Sequence, residues 1–361
     1  VWCMYLIISS LFSNNILLSL ESSLFFFRFG IFALAIGNLI IEHEKELIKF
    51  LSISLVSTFS ILLFDALFQY FLGFNLLLFE YEINRFARLK GLFGDESILG
   101  SYLVRLLPIL FAVFVYKNNQ SKLSTFFFCM LVIAIDVVIF LSGERTAFGL
   151  LFVFMLIFIF LLKDLKFLKI ILIIIPIISI TIISLTNTKI KNRMIDYTID
   201  QVNKSYIFSQ EHDLLILHAY DIFLQNKIFG VGTKMFREEC KLDKYNSFNQ
   251  KEMIGINKGL CNTHPHNYLI QLLSETGLVG TIPYLIIFFL ILFKFSKQFF
   301  YIYFKNKLLM NNTSAALLGG IIIGIWPFFP SGNIFNNWLN VILFLNIGLF
   351  IGFSKILKNN N

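Results

Sequence analysis

The sequence predicts an all-α protein: a polytopic transmembrane helical bundle with one large extramembrane loop that itself contains helices. Three observations predict it. Of the 361 residues 57% are hydrophobic and only 14% are charged, with a mean hydropathy of +0.77. A soluble chain of this length would need far more charged surface. The apolar residues also fall in runs of about 17–25, the length a helix needs to cross a bilayer. One long interruption, 186–265, is polar and divides the runs into an N-terminal and a C-terminal group.

By run length the spans number about ten, at 2–19, 24–41, 50–73, 98–116, 123–141, 145–162, 167–185, 267–293, 314–330 and 338–354. The first is interrupted by "SSLFSNN". The 45 Phe are spread over most of the runs, as expected of lipid-facing filler. Three regions follow within one integral membrane domain: N-terminal helices at 1–185, the loop at 186–265 and C-terminal helices at 266–361. The loop starts polar, carries a helical pattern in "LLILHAYDIFLQNKIF", turns at "GVGTKMF" and continues as surface loop in "NSFNQKEMIGINKG". The chain begins at Val1 with neither an initiator methionine nor a signal peptide, so a truncated N-terminus is expected.

Lysines set the orientation. Lys45 and Lys49, Lys117 and Lys122, then Lys163, Lys166 and Lys169, then Lys294, Lys297, Lys305 and Lys307, then Lys355 and Lys358 recur after every second crossing. By the positive-inside rule that face is cytoplasmic. The opposite turns are poorer: "SGER" has one Arg and "PSGNIFNNW" none, and in 74–97 Arg85, Arg88 and Lys90 are offset by Glu80, Glu82, Asp95 and Glu96. Both termini then lie inside and 186–265 lies outside. The net charge of +8 reflects these basic loops and implies no nucleic-acid partner; the expected surroundings are membrane lipids.

Arg28, Asp65, Arg105, Asp136 and Glu275 fall within or at the edge of apolar runs. Each costs roughly 2.5–3.5 kcal/mol at mid-helix unless paired or wetted. All five lie in the outer half of the bilayer under this topology, as a polar cavity open to the outside requires; singly, each could instead be a structural ion pair. Asp65 and Arg105 match in depth on sequential spans and are expected to pair. Arg145 follows "SGE" at the outer start of a span. Its guanidinium can hold a diphosphate through two parallel hydrogen bonds, or snorkel to headgroup phosphates.

The stretch "CNTHPHNYLIQLLSETGLVG", Cys261–Gly280, ends the polar loop and opens an apolar helix. His264 and His266 therefore sit where water meets membrane, with Pro265 suited to a first helical turn. A helix N-terminus keeps an imidazole neutral and also attracts anions. A base beside an anion site suggests chemistry on a lipid-linked phosphate; ordinary surface histidines at an interfacial cap are the alternative. Cys3 and Cys129 lie in apolar spans and pack. Cys240 and Cys261 share the outward loop, where a disulfide is favoured, although with His264 and His266 they could form a zinc site. "GVGTKMF" is too short for a dinucleotide fingerprint; its Lys234 and the nearby Arg237 are solvated charges or phosphate contacts. If the segment from His266 is one straight helix, His266, Gly277 and Gly280 fall near one face, with Glu275 nearly opposite. The glycines would then permit close helix packing, and Glu275 would orient a neighbouring element.

Four stretches together resemble the O-antigen ligase and O-antigen polymerase superfamily of bacterial membrane glycosyltransferases. "HNYLIQLLSETGLVG" fits the family pattern of His-Asn, nine residues, then Gly-x-x-Gly, on His266, Asn267, Gly277 and Gly280. "SGERTAFGLL" places an Arg after a small-residue turn. "AYDIFLQNKIFGVGTKMF" is the loop helix and glycine turn. "RLKGLFGDESILGSYLVRLLPIL" runs from Arg88 to Leu110, with Asp65 and Gln69 upstream. Members usually have about twelve spans, two more than are counted here. The resemblance implies an inverting, metal-independent transfer that uses no cofactor. It takes a glycan from undecaprenyl diphosphate to a sugar hydroxyl at the periplasmic face of the bacterial inner membrane, in lipopolysaccharide or surface-polysaccharide biosynthesis. The acceptor is another glycan in a polymerase, slightly favoured by "GLFGDESILGSY", or lipid A–core in a ligase. His266 would be the base and Arg145 the diphosphate ligand; His264, Asn267 and Arg88 would contact substrate. Many members carry an Arg near the start of the loop helix, where this chain has His212 and Asp213. His212, Lys234 or Arg237 would take that role. A transporter or flippase is the competing class, but such proteins usually show interrupted helices at matching positions of two halves, and no such symmetry is visible.

Overall fold

A computed structural model of the chain describes residues 1–78, 80, 88–116, 121–163, 165–204, 208–245 and 261–359. Arg85, Glu82, Lys117 and the surface loop read over 246–259 lie outside the described residues. Among the described residues the protein is helical with no strand beyond one isolated bridge, and seven helices are long and apolar enough to cross a membrane. It is an all-α, multi-pass membrane protein. The helices are α1 Trp2–Leu11, α2 Ile16–Ser23, α3 Phe27–Glu42, α4 Glu44–Leu72, α5 Leu99–Tyr116, α6 Lys122–Leu141, α7 Arg145–Leu161 and α8 Lys166–Thr186. Through the loop region run α9 Thr188–Lys191, α10 Tyr197–Lys204, α11 Gln210–Gln225 and α12 Phe236–Glu239. The C-terminal helices are α13 Tyr268–Lys305, α14 Asn312–Gly324 and α15 Asn337–Asn359.

Three expected spans change, the one at 267–293 by running on to Lys305 with a break at Gly277. The run 2–19 is not one helix: α1 stops at Leu11 and Asn15 caps α2, its side chain accepting from the Leu18 amide at 3.2 Å. The "SSLFSNN" interruption is thus a true break, and the crossing-length stretch is Ile16–Glu42. The run expected at 314–330 yields a helix that ends at Gly324, because Pro327 and Pro330 cannot continue it. Residues 325–336 are left as an irregular loop.

The chain divides into two compact units. The first comprises Val1–Ala33, Asp200–Phe293 and Gly324–Phe344, and the second Leu34–Ile199, Lys294–Ile323 and Leu345–Asn361. In the first unit, one core gathers Leu6, Phe26, Phe29, Leu272 and Phe335; another gathers Leu215, Ala219, Ile222, Phe236, Cys240, Tyr245 and Ile270. In the second unit α5 packs against α4, α6 and α7. Phe111 is its hub, with ring centroids 5.1, 5.3 and 4.8 Å from Phe128, Phe154 and Phe158, in the edge-to-face geometry aromatic rings prefer.

Candidate functional site

In the first unit the site is built around a break in α13. Gly277 has φ 59° and ψ −167°, outside the helical region, so the straight-helix projection that put His266, Gly277 and Gly280 on one face does not hold. The glycine loop of "GVGTKMF" docks into the gap. Val231 and Gly232 amides donate to the Ser274 and Glu275 carbonyls at 3.1 and 2.8 Å, while the Leu278 and Val279 amides donate to the Lys227 and Ile228 carbonyls at 2.9 and 3.2 Å. The backbone groups freed by the break are satisfied by the loop, as apolar surroundings demand. The two chains approach so closely that a β-carbon on Gly230 (φ +71°) would meet the Thr276 nitrogen at 2.5 Å, and one on Gly277 would meet the Gly230 nitrogen at 2.6 Å. Gly280 serves packing elsewhere, since its carbonyl accepts the Trp2 indole N–H at 2.8 Å and so seats α1.

The break also bends the segment. Asn267 donates to the Pro327 carbonyl at 3.0 Å and Tyr284 to the Ile325 carbonyl at 2.5 Å. In a straight helix these two residues would lie roughly 25 Å apart; here both reach the same short loop. That loop holds the histidine turn, with the Ser331 amide donating to the His266 carbonyl at 2.7 Å. The helix begins at Tyr268, so Pro265 precedes it in irregular chain rather than opening its first turn. Asn267 is the cap: its carbonyl oxygen accepts from the Ile270 amide at 3.1 Å while its amide holds Pro327. His266 has φ +54°, a left-handed conformation uncommon outside glycine though less so for His. Such strain persists where surrounding contacts over-determine it.

Three imidazoles gather at this turn. His264 and His266 have ring centroids 4.1 Å apart, and His212 from α11 stands edge-to-face to His266 at 5.6 Å. Asn262 lies 3.2 Å from His266 Nε2, Thr263 Oγ1 2.9 Å from His264 Nδ1, and Ser209 Oγ 2.6 Å from His212 Nδ1. Burial first, then the neighbouring His266, push the His264 imidazole down to about 3, with lesser contributions from Arg237 and His212 and against the opposing pull of the nearby Ser331 backbone. His264 is therefore neutral at pH 7. In the unfolded chain it would take up a proton below its ordinary value of 6.5, so acidification between these values favours the unfolded state. The midpoint of thermal unfolding is expected to fall as pH is lowered from about 7 to about 4. The His264→Gln variant, which has no proton to gain, should fall less; an equal fall would place the pH sensitivity elsewhere.

The cations around this turn differ in their commitments. Lys234 Nζ is 2.8 Å from the Glu21 carboxylate. Arg237 interacts electrostatically with His264, and its buried Nε has no hydrogen-bond partner, nor has His264 Nε2 or Ser331 Oγ. Arg237 is carried by α12, whose Phe236 amide donates to Glu275 Oε1 at 3.2 Å. Glu275 Oε2 accepts from Gln271 at 3.0 Å, and Gln271 reaches Asn333 at 2.9 Å. Glu275 thus orients neighbouring elements rather than His266. A disulfide joins Cys240 to Cys261, Cα–Cα 5.5 Å, tying the end of α12 to the segment that leads into the histidines; neither sulfur is then a thiolate ligand for zinc. Closing a loop of this size contributes about 3 kcal/mol in the chain-entropy model. In unreduced membranes both cysteines should resist a thiol reagent, and their free labelling would exclude the bridge.

The second unit carries the "SGER" turn. Glu144 caps α5: its Oε1 accepts from the Gly100 amide at 2.6 Å and Oε2 from Ser101 at 3.1 Å. Burial pushes Glu144 up, while these amides and the nearby Arg88 pull it back. Arg88 itself is exposed. The Arg145 guanidinium lies over the Tyr197 ring, 5.4 Å from its centroid. The expected Asp65–Arg105 pair does not form. Asp65 Oδ1 instead accepts from the Leu76 amide at 2.8 Å and its Oδ2 has no hydrogen-bond partner, whereas Arg105 donates to the Ser101 carbonyl at 3.2 Å. The Leu76 amide, just past α4, takes the carboxylate, and one helical turn on Gln69 accepts from the Lys90 and Gly91 amides. Sequence reasoning missed Glu144, Gln271, Ser331 and Tyr197. The spacing of Glu144 directly before Arg145 was the one visible signal.

Fold and site define a multi-pass membrane protein with two polar, cation-bearing turns, one of them rich in histidine. Residues 127–285 match the Wzy_C family model, described as O-antigen ligase, and this match supports the O-antigen ligase and polymerase superfamily that the motifs resemble. It runs from α6 through the "SGER" turn and the glycine loop to just past the break in α13. No curated protein matches the chain.

Proposed function

We propose that the protein is a metal-independent, inverting glycosyltransferase of the bacterial inner membrane. It moves a glycan from undecaprenyl diphosphate to a sugar hydroxyl on the periplasmic side. His266 accepts the acceptor's proton, and Arg145 stabilises the charge that grows on the leaving diphosphate. Of the three candidates for the second cation, Arg237 takes the role: Lys234 is held by Glu21, and His212 is neither permanently charged nor forked. The observation that carries the reading is the gathering of His212, His264 and His266 at one turn, with Arg237 acting electrostatically on His264. A fixed guanidinium beside neutral imidazoles offers an anion contact and a base together. Fixed donors in a low-dielectric site stabilise a developing oxyanion strongly. The break in α13 is a feature also found in transporters, but its open backbone groups are filled by the glycine loop rather than lining a substrate path.

Polymerase is slightly favoured over ligase on the "GLFGDESILGSY" stretch. A gel of surface glycolipid from a deletion strain separates the readings. Core carrying one repeat unit is expected of a polymerase and bare core of a ligase. Unprocessed lipid-linked glycan held on the cytoplasmic face would instead mark a flippase and overturn the proposal.

A further inference from the structure

We infer that Arg193 is a positioning residue: through the carbonyl of Gly143 it holds the Ser142–Arg145 turn, so that Arg145 presents its guanidinium to a diphosphate. The inference rests on the role proposed for Arg145.

Arg193 lies in "TNTKIKNRMIDYTID", a stretch whose composition reads as solvated loop. Yet it is only 7% exposed, and a guanidinium is rarely that buried without a compensating contact. It sits in a π-helical turn, Asn192–Asp196, between α9 and α10; such turns are rare and often occur at functional sites. Buried Ile190 and Met194 anchor the segment, and the Asn187 side chain donates to the Tyr70 hydroxyl at 2.7 Å.

From this anchored segment two contacts reach the "SGER" turn. Arg193 Nε donates to the Gly143 carbonyl at 3.0 Å. Four residues on, the Tyr197 ring lies against the Arg145 guanidinium. The turn is fixed as well by Glu144, which caps the α5 amides of Gly100 and Ser101. Arg145 therefore projects from a turn gripped at both Gly143 and Glu144. A forked contact to a diphosphate needs that geometric control, because it depends on orientation as well as charge.

Glutamine separates the bond from the charge. Its Nε2 stands as many bonds from the backbone as Arg Nε, so Arg193→Gln can still donate to Gly143 while losing the cation. Arg193→Leu loses both. The probe is undecaprenyl diphosphate in vesicles holding the full-length protein, its Kd compared with that of undecaprenyl monophosphate. Arg193→Leu should weaken diphosphate binding about tenfold or more, the range for a lost hydrogen bond from a charged donor, and Arg193→Gln should restore it to within about threefold. In an Arg145→Ala background, Arg193→Leu should add nothing. Wild-type affinity in Arg193→Leu, failure of the Gln variant to rescue, or independent effects in the double variant would each overturn the inference. An Arg145→Ala protein that binds diphosphate normally would instead overturn the role of Arg145.

Discussion

His266→Ala and Arg145→Ala are each expected to abolish glycan transfer while leaving protein level and membrane insertion near wild type. A general base contributes roughly 10²–10⁴-fold, and losing one oxyanion-stabilising donor costs about 10²–10³-fold. His266 owes its placement to backbone, namely a left-handed φ and the Ser331 amide on its carbonyl, so removing the ring leaves the turn standing. Arg145→Lys should recover little, since an ammonium is a point charge without the fork. His264→Ala should be milder than His266→Ala. Arg237→Ala should raise the donor KM, and Lys234→Ala, which breaks only an ion pair with Glu21, should not. The check is a rate assay on purified variants alongside immunoblots of the membrane fraction. A fully active His266→Ala protein would remove the proposed base.

The second large effect concerns folding. Gly277→Ala and Gly230→Ala should each lower the amount of folded protein severely. Both glycines have positive φ, 59° and 71°, where a β-carbon is strained. Here the β-carbon would also strike backbone: the Ile228 carbonyl in one case and the Glu275 carbonyl in the other. Backbone cannot swing aside as a flexible side chain can, and overpacking alone typically costs about 1–3 kcal/mol. The damage would spread, because four loop-to-helix hydrogen bonds cross this contact. Gly30→Ala, at a site where an added β-carbon meets nothing within 4 Å, is the control and should be silent. Monodispersity in detergent reports the outcome; well-folded Gly277→Ala would mean the break is not needed.

The crossing helices were legible because run length is a property of local composition; α5 to α8 fall within one residue of where apolar runs place them, and α4 starts earlier, at Glu44, on a charged first turn. Departures arose where a single polar or proline residue decides, as at Asn15 and Pro327. Gly277 was visible as a motif glycine, but its break was not. A run that reads as one continuous helix gives no sign that a distant loop will supply its missing hydrogen bonds. The same holds for charges in the spans. Matched depth suggested that Asp65 meets Arg105, yet depth says nothing of rotation about the helix axis or of a loop amide, Leu76, that takes the carboxylate. The Cys240–Cys261 bridge could be read from compartment and chemistry, whereas Arg193 was hidden in a polar stretch because burial of one guanidinium leaves no trace in composition.

The most direct measurement is transfer itself. The purified full-length protein is placed in vesicles with an undecaprenyl-diphosphate-linked glycan and a sugar acceptor, with chelator present throughout. The account predicts a glycosidic product of inverted anomeric configuration, release of undecaprenyl diphosphate, and no product with His266→Ala. Movement of donor across the bilayer without any new glycosidic bond, or activity lost on chelation and restored by a metal ion, would contradict it.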